Sequence, residues 1–169
     1  YSTLKLASPD ATRLFGESVL PVCSPQLLKN KNPRRPEELN DFVLLHYEDP
    51  TLFTPWLSWE VWFETMRAAA PAPKGVLRFS HYDMLVRAAI SGQGIALGRL
   101  PLIESLLDDG TLVAPLADTR YSATTLDRAY WLMATPVTRE RPEVRTFMQW
   151  LAHKAAPLAK RTGARKKRN

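Results

Sequence analysis

Apolar and polar positions along the chain fall into short blocks with alternating strand-like and helix-like spacing. Leu14 to Val22 reads as a long strand, with Leu14, Phe15, Val19, Leu20 and Val22 apolar. Ser24-Pro25-Gln26-Leu27-Leu28 reads as a helix start, Ser24 as N-cap and Pro25 in the first helical position. Asn30 to Arg35 is a polar loop, Pro36 to Leu39 a short helical turn, and Phe42 to His46 a buried strand. After a loop from Glu48 to Pro55, Ser58 is placed to cap an aromatic helix, Trp59 to Met66. Ala68 to Lys74 is a Pro/Ala connector.

The most informative block follows. Val76 to Phe79 is apolar and suits a buried strand. Ser80 is expected to cap the next helix, with Asp83 completing a box-like spacing at the positive helix end. Met84, Leu85, Val86, Ala88 and Ala89 give that helix a wide apolar face, and Gly92 ends it. Ile95-Ala96-Leu97 is then a short apolar strand of the kind buried in parallel sheets. Pro101 starts a second helix, Leu102 to Leu107, ending at Asp109-Gly110. Leu112 to Ala114 reads as a strand, Asp118 to Asp127 as a polar loop and Tyr130 to Ala134 as a strand. Glu140 to Ala155 carries Val144, Phe147, Met148 and Leu151 at helical spacing. Strands alternating with short helices predict the α/β class. In such sheets ligands sit at strand carboxyl ends beside helix N-termini, which directs attention to Ser80.

Composition refines this picture in few places. An apolar content of 45% over 169 residues is enough for a packed core. The net charge of +6 is wholly accounted for by Lys160, Arg161, Arg165, Lys166, Lys167 and Arg168, so 1–159 is neutral. That basic end is expected to be a disordered, solvated tail able at most to support a phosphate contact. No apolar run approaches the roughly 18 residues of a membrane span, so no membrane partner is expected. Cys23 alone forbids an intrachain disulfide and fits a reducing compartment. The start at Tyr1, without Met or a signal pattern, reads as a fragment or processed product.

Candidate chemistry is sparse. Ser80 either caps its helix only, or caps it and also contacts an anion together with the following backbone N–H groups. His81 is either a surface residue of the first turn or part of that site. Tyr82 is a weaker candidate, since an aromatic there can equally pack. His46, ending a buried strand, is more readily a structural histidine than a ligand contact. Trp56, Trp59, Trp62 and Phe63 read as core, with a cleft wall as the alternative. Gly92-Gln93-Gly94 follows a helix rather than opening one, so it is not a dinucleotide fingerprint. No nucleophile elbow and no metal-binding His pair occur, and Cys23 follows a buried strand, so neither catalysis nor a metal is expected.

Several segments taken in order resemble the effector-binding domain of LysR-type transcriptional regulators, the glycine-cleavage-activator-like subgroup above all. They are Phe15-Gly16-Glu17-Ser18-Val19-Leu20-Pro21-Val22-Cys23-Ser24-Pro25, Leu44-Leu45-His46, Trp59-Glu60-Val61-Trp62-Phe63 and the run from Phe79 to Gly98. Leu100-Pro101-Leu102, Asp109 to Val113, Tyr130 to Met133 and Val144 to Leu151 complete the set, which covers about 14–152. The resemblance implies one Rossmann-like lobe of the two-lobed periplasmic-binding-protein-like (type 2) fold, with only the end of the other lobe present. It divides the chain into 1–21, a remnant of lobe I with a crossing strand, and 22–130, lobe II with the effector site. The rest is 131–157, a crossing strand and helix returning to lobe I, and 158–169, the basic tail. The crossings would lie near Glu17–Pro21 and Arg128–Met133. It further implies no cofactor, an unidentified small and anionic effector held near Ser80, His81, Tyr82 and His46, and a cytoplasmic homodimer or homotetramer. DNA would be bound through an N-terminal winged helix-turn-helix absent from this chain. The alternatives are a two-lobed solute-binding protein serving a transporter and, third, a small α/β enzyme.

Overall fold

The computed structural model describes residues 2–3, 11–29, 31, 33–48, 54–116 and 123–166. The chain forms two compact units, one of residues 1–18 and 124–169 and one of residues 19–123. The expected divisions at 21/22 and 130/131 fall inside two long strands, β2 (Thr12–Val22) and β6 (Ala123–Leu132).

The 19–123 unit is an open α/β layer. Past the end of β2 come α1 (Pro25–Leu28), β3 (Val43–Tyr47), α2 (Trp59–Met66), β4 (Gly75–Phe79), α3 (Tyr82–Ile90), β5 (Ile95–Leu100) and α4 (Glu104–Asp108). The strands lie in the order β2-β5-β3-β4. Parallel pairing runs Leu44↔Ile95 and Leu45↔Ala96 on one side of β3, and Val43↔Gly75 through Tyr47↔Phe79 on the other. Alternation along each strand sends residues to two different cores. Leu44, Ile95 and Leu97 pack with Trp56, Trp59, Trp62 and Phe63 under α2, whereas Leu45 and Ala96 pack with Leu85, Ala88 and Ala89 under α3. The aromatic cluster is therefore core: Trp59 stacks on Phe63 at 5.7 Å and its indole N–H donates to the Leu45 carbonyl at 3.0 Å.

Local chemistry sets the helix starts. Ser24 accepts from Gln26 N, ahead of Pro25 in the first helical position, and Ser58 accepts from Val61 N at 3.2 Å. Pro36–Asp41 forms the expected helical turn, as a 3₁₀ turn.

Three strand expectations differ from the structure. β4 is not buried: it is the last strand in the order, and Val76 and Leu77 on its two faces are 45% and 42% exposed. Leu112 to Ala114 forms no strand but a single antiparallel bridge, Cys23 and Val113 exchanging backbone bonds of 3.0 and 2.8 Å. The loop expected over Asp118 to Asp127 lies partly outside the described residues, and from Ala123 the backbone is already β6. Thr124, Thr125 and Leu126 suit a strand as well as a loop, and strand pairing decides the matter.

The other unit holds β1 (Ser2–Thr3), β6 and the first part of β2 in the order β1-β6-β2, with α5 (Pro136–Arg139) and α6 (Pro142–Lys166). β1 pairs antiparallel with β6, and the Phe15 and Tyr130 rings lie 4.7 Å apart. On α6, Ala155 is 4% exposed and Val144, Met148 and Leu151 are half-buried. Phe147, expected on the same face, is instead 56% exposed and stacks on Trp150. It lies about 70° off the centre of the inward face at 3.6 residues per turn. The basic end is helical rather than disordered as far as Lys166, continuing across Pro157 and Gly163. Ala, Lys and Arg, all strong helix formers, make up most of 154–166 and sustain the helix.

Candidate functional site

From β3 the chain passes through α2 to β4 on one side, and from β4 it crosses back over β3 through α3 to β5 on the other side. The carboxyl ends of β3 and β5 thus form the switch point where open α/β sheets take ligands. Ser80, His81 and the start of α3 lie beside it, since β4 runs parallel to β3 and ends at Phe79 opposite Tyr47.

The β3–β5 ladder stops at Leu45↔Ala96, and the next polar groups of β5 are met by a side chain. The Tyr82 hydroxyl accepts the Arg99 backbone N–H at 2.8 Å and donates to the Leu97 carbonyl at 3.3 Å. Its ring meets Tyr47 edge-on at 5.9 Å, and the Arg99 guanidinium lies 5.4 Å from the ring centroid. Tyr82 thus ties the first turn of α3 to the end of β5. Tyr47 and Arg99 were not singled out from the sequence. Their only signal is a place at the ends of strands that become neighbours once the order is known.

Ser80 does not cap α3. The helix begins at Tyr82 with His81 as its N-cap residue (φ −125°, ψ 127°) and no side-chain cap bond. Ser80 lies one residue too early to reach the second and third helical N–H groups. Its hydroxyl instead lies 3.0 Å from His81 Nδ1, and both residues are exposed. The first intrahelical bond runs from Leu85 N to the His81 carbonyl, so the N–H groups of Asp83 and Met84 point out of the helix start. Asp83, in the first turn, complements the helix dipole without closing a capping box.

His46 stands apart. On β3 it shares the face of Leu44, under α2, while Tyr47 shares the Leu45 face with α3. No hydrogen bond joins His46 to Ser80 or His81 among the described residues. Next to it, Glu48 pairs with Arg78 at 2.9 Å, and its backbone N–H reaches the Phe79 carbonyl at 2.8 Å. Both charges of this pair are exposed, so its stabilising value is small.

Among the described residues no cluster of His, Cys, Asp and Glu could hold a metal ion, and no helix is long and apolar enough to cross a membrane. Cys23 is fully buried and burial pushes its thiol up to about 12, far from a nucleophile's range.

Residues 3–156 match the model of the LysR substrate binding domain. The glycine cleavage system transcriptional activator of Escherichia coli K12 is 32% identical over 145 residues, covering 85% of this chain and 44% of the relative. The chain therefore spans less than half the length of the curated relatives it matches. The AmpR effector binding domain from Citrobacter freundii superposes with a TM-score of 0.63 at 25% identity, covering 89% of this chain and 70% of that one. The bromide-bound regulatory domain of HypT from Salmonella typhimurium gives 0.56 at 26% identity, covering 93% and 70%.

Proposed function

This chain belongs to the family of LysR substrate-binding domains, and from that premise we propose that it senses a small anionic effector for a LysR-type transcriptional regulator. Its fold is that of the family, the periplasmic-binding-protein-like type 2 architecture. The observation that carries the effector reading is the start of α3. Outward N–H groups at Asp83 and Met84, the exposed Ser80 hydroxyl and the exposed His81 ring converge at the carboxyl ends of parallel strands. Uncapped helix N–H groups with a hydroxyl alongside suit a carboxylate or halide. The bromide held by the HypT domain supports an anion for this fold.

In this reading Ser80, His81 and the α3 backbone touch the effector, Tyr82 positions them, and His46 belongs to the α2 core. Effector binding acts by favouring one arrangement of a two-state regulator, which requires different affinities for the two states. DNA contact through an N-terminal winged helix-turn-helix, a cytoplasmic setting and assembly into a homodimer or homotetramer belong to the same proposal. The exposed edge strand β4, with Val76 and Leu77 uncovered, supports assembly, because open strand edges invite pairing.

The test is a thermal-shift and calorimetric screen of glycine, other amino acids, organic acids and bromide against the chain and its Ser80→Ala/His81→Ala variant. A compound that raises the Tm of the wild type and binds the variant at least tenfold more weakly is expected. Equal affinity of the two proteins for such a compound overturns the site.

A further inference from the structure

α6 keeps two large rings outside the core of its own unit. Ala155 is 4% exposed and Val144, Met148 and Leu151 are half-buried, which fixes the inward face of the helix. Phe147 and Trp150 are 56% and 54% exposed and stack on one another at 5.8 Å. At about 100° per residue, their mean direction lies about 100° from the centre of the inward face. Two aromatic side chains held together in water make an apolar patch of the kind that marks an interaction surface.

The charges on the same stripe identify what covers it. Glu143 and Lys154, both exposed, stand four residues before Phe147 and four after Trp150. The positions 143, 147, 150 and 154 follow a four-three-four spacing and lie within about 60° of one another around the helix. That is the seam spacing by which two helices pack side by side. The stripe is also symmetric about the point midway between Met148 and Gln149. A second copy related by a two-fold axis through that point runs antiparallel. It sets Phe147 of each copy against Trp150 of the other, and Glu143 of each against Lys154 of the other. A parallel copy sets Glu143 against Glu143 and Lys154 against Lys154, so charge selects the antiparallel arrangement. Glu143 already holds Arg141 at 2.7 Å, and a carboxylate has lone pairs for a second cation.

We propose that this stripe of α6 is a self-association surface, on which a second copy of the chain packs its own α6 antiparallel. The proposal rests on the homo-oligomer reading above and gives that assembly a surface distinct from the β4 edge. The paired stretch, 142–155, is about 20 Å long. A seam of that length falls short of a permanent interface, so the association is weak and concentration-dependent.

The experiment is sedimentation equilibrium of the whole 169-residue chain from about 10 μM to about 1 mM. Wild type is expected to shift from monomer toward dimer across that range. Phe147→Ala/Trp150→Ala is expected to associate at least about tenfold more weakly, as on removal of aromatic anchors. Glu143→Lys and Lys154→Glu alone each place like charges across the seam and are expected to associate at least about threefold more weakly. The double variant Glu143→Lys/Lys154→Glu restores opposite charges only in the antiparallel register, and is expected to return to within about threefold of wild type. These two positions are exposed, so the charge variants decide the matter even where the aromatic variant loses helicity by circular dichroism. A wild type that stays monomeric throughout overturns the proposal, as does a double variant no better than either single one. Dimerisation that none of these variants changes also overturns this surface while leaving the homo-oligomer reading standing. All variants leave Ser80, His81 and β4 untouched, so the effector screen stands or fails separately.

Discussion

The Tyr82 hydroxyl takes the place of a neighbouring strand for the Arg99 backbone, accepting its N–H at 2.8 Å just past the last β3–β5 pair. One side chain from the first turn of α3 thereby closes the ladder at the switch point. Tyr82→Phe keeps the ring against Tyr47 but leaves the Arg99 N–H and the Leu97 carbonyl without the hydroxyl. A loss of about 1–3 kcal/mol is expected from unfolding in urea, because Leu97 is buried and Arg99 half-buried. Hydrogen exchange at Arg99 is expected to accelerate in the same variant, while a loss below about 0.5 kcal/mol contradicts the bracing role.

Two serines that look alike as caps are expected to behave differently. Ser58 accepts from Val61 N at 3.2 Å, so Ser58→Ala is expected to cost about 1 kcal/mol in equilibrium unfolding. Ser80 faces His81 rather than a helical N–H, so Ser80→Ala is expected to cost less than about 0.5 kcal/mol, as at an exposed position. A full capping cost at Ser80 would restore the cap reading of that residue. This difference also makes Ser80→Ala a clean probe of effector contact.

The glycines of Gly92-Gln93-Gly94 serve opposite purposes. Gly92 has φ +74° with open space around it, so Gly92→Ala is expected to cost about 1–2 kcal/mol of backbone strain alone. A Cβ on Gly94 would lie 2.5 Å from the Val43 carbonyl oxygen and 2.8 Å from Leu45 Cδ2. Backbone cannot yield as a flexible side chain can, so Gly94→Ala is expected to cost at least about 3 kcal/mol and to disturb β3–β5 pairing. Chemical denaturation ranks the two, and a smaller loss for Gly94→Ala than for Gly92→Ala contradicts the close approach.

Residues with a local cause were legible in the sequence. α2 runs over Trp59–Met66 as the Ser58 cap and aromatic spacing predict, and the continuous apolar run Ile95-Ala96-Leu97 announces a buried strand. What was illegible depends on neighbours distant in sequence. Val76 and Leu77 read as core because β-branching and apolarity do not reveal an edge position. The helix start at Tyr82 rather than His81 shifted Ser80 out of capping reach, a displacement of one residue that spacing does not resolve. Tyr47 and Arg99 enter the site only through the strand order, and Phe147 missed the core by its angle on the helix.

Cys23 gives a prediction with a definite sign. It is fully buried between the two backbone bonds to Val113, and burial raises its thiol from 9.0 to about 12. Between those values the unfolded chain loses the thiol proton while the folded chain keeps it, so the folded state holds more protons. Stability from this group is therefore fully present below pH 9 and is lost as pH rises toward 12, by at most about 1.4 kcal/mol per pH unit. The measurement is the difference between wild type and Cys23→Ala in urea unfolding from pH 8 to 10.5, which cancels every contribution the two proteins share. The wild type is expected to lose stability more steeply with pH. At pH 8 the native thiol is expected to resist a disulfide reagent that labels the urea-unfolded chain at once. Parallel stability curves, or rapid labelling of the native protein, contradict a buried, protonated thiol.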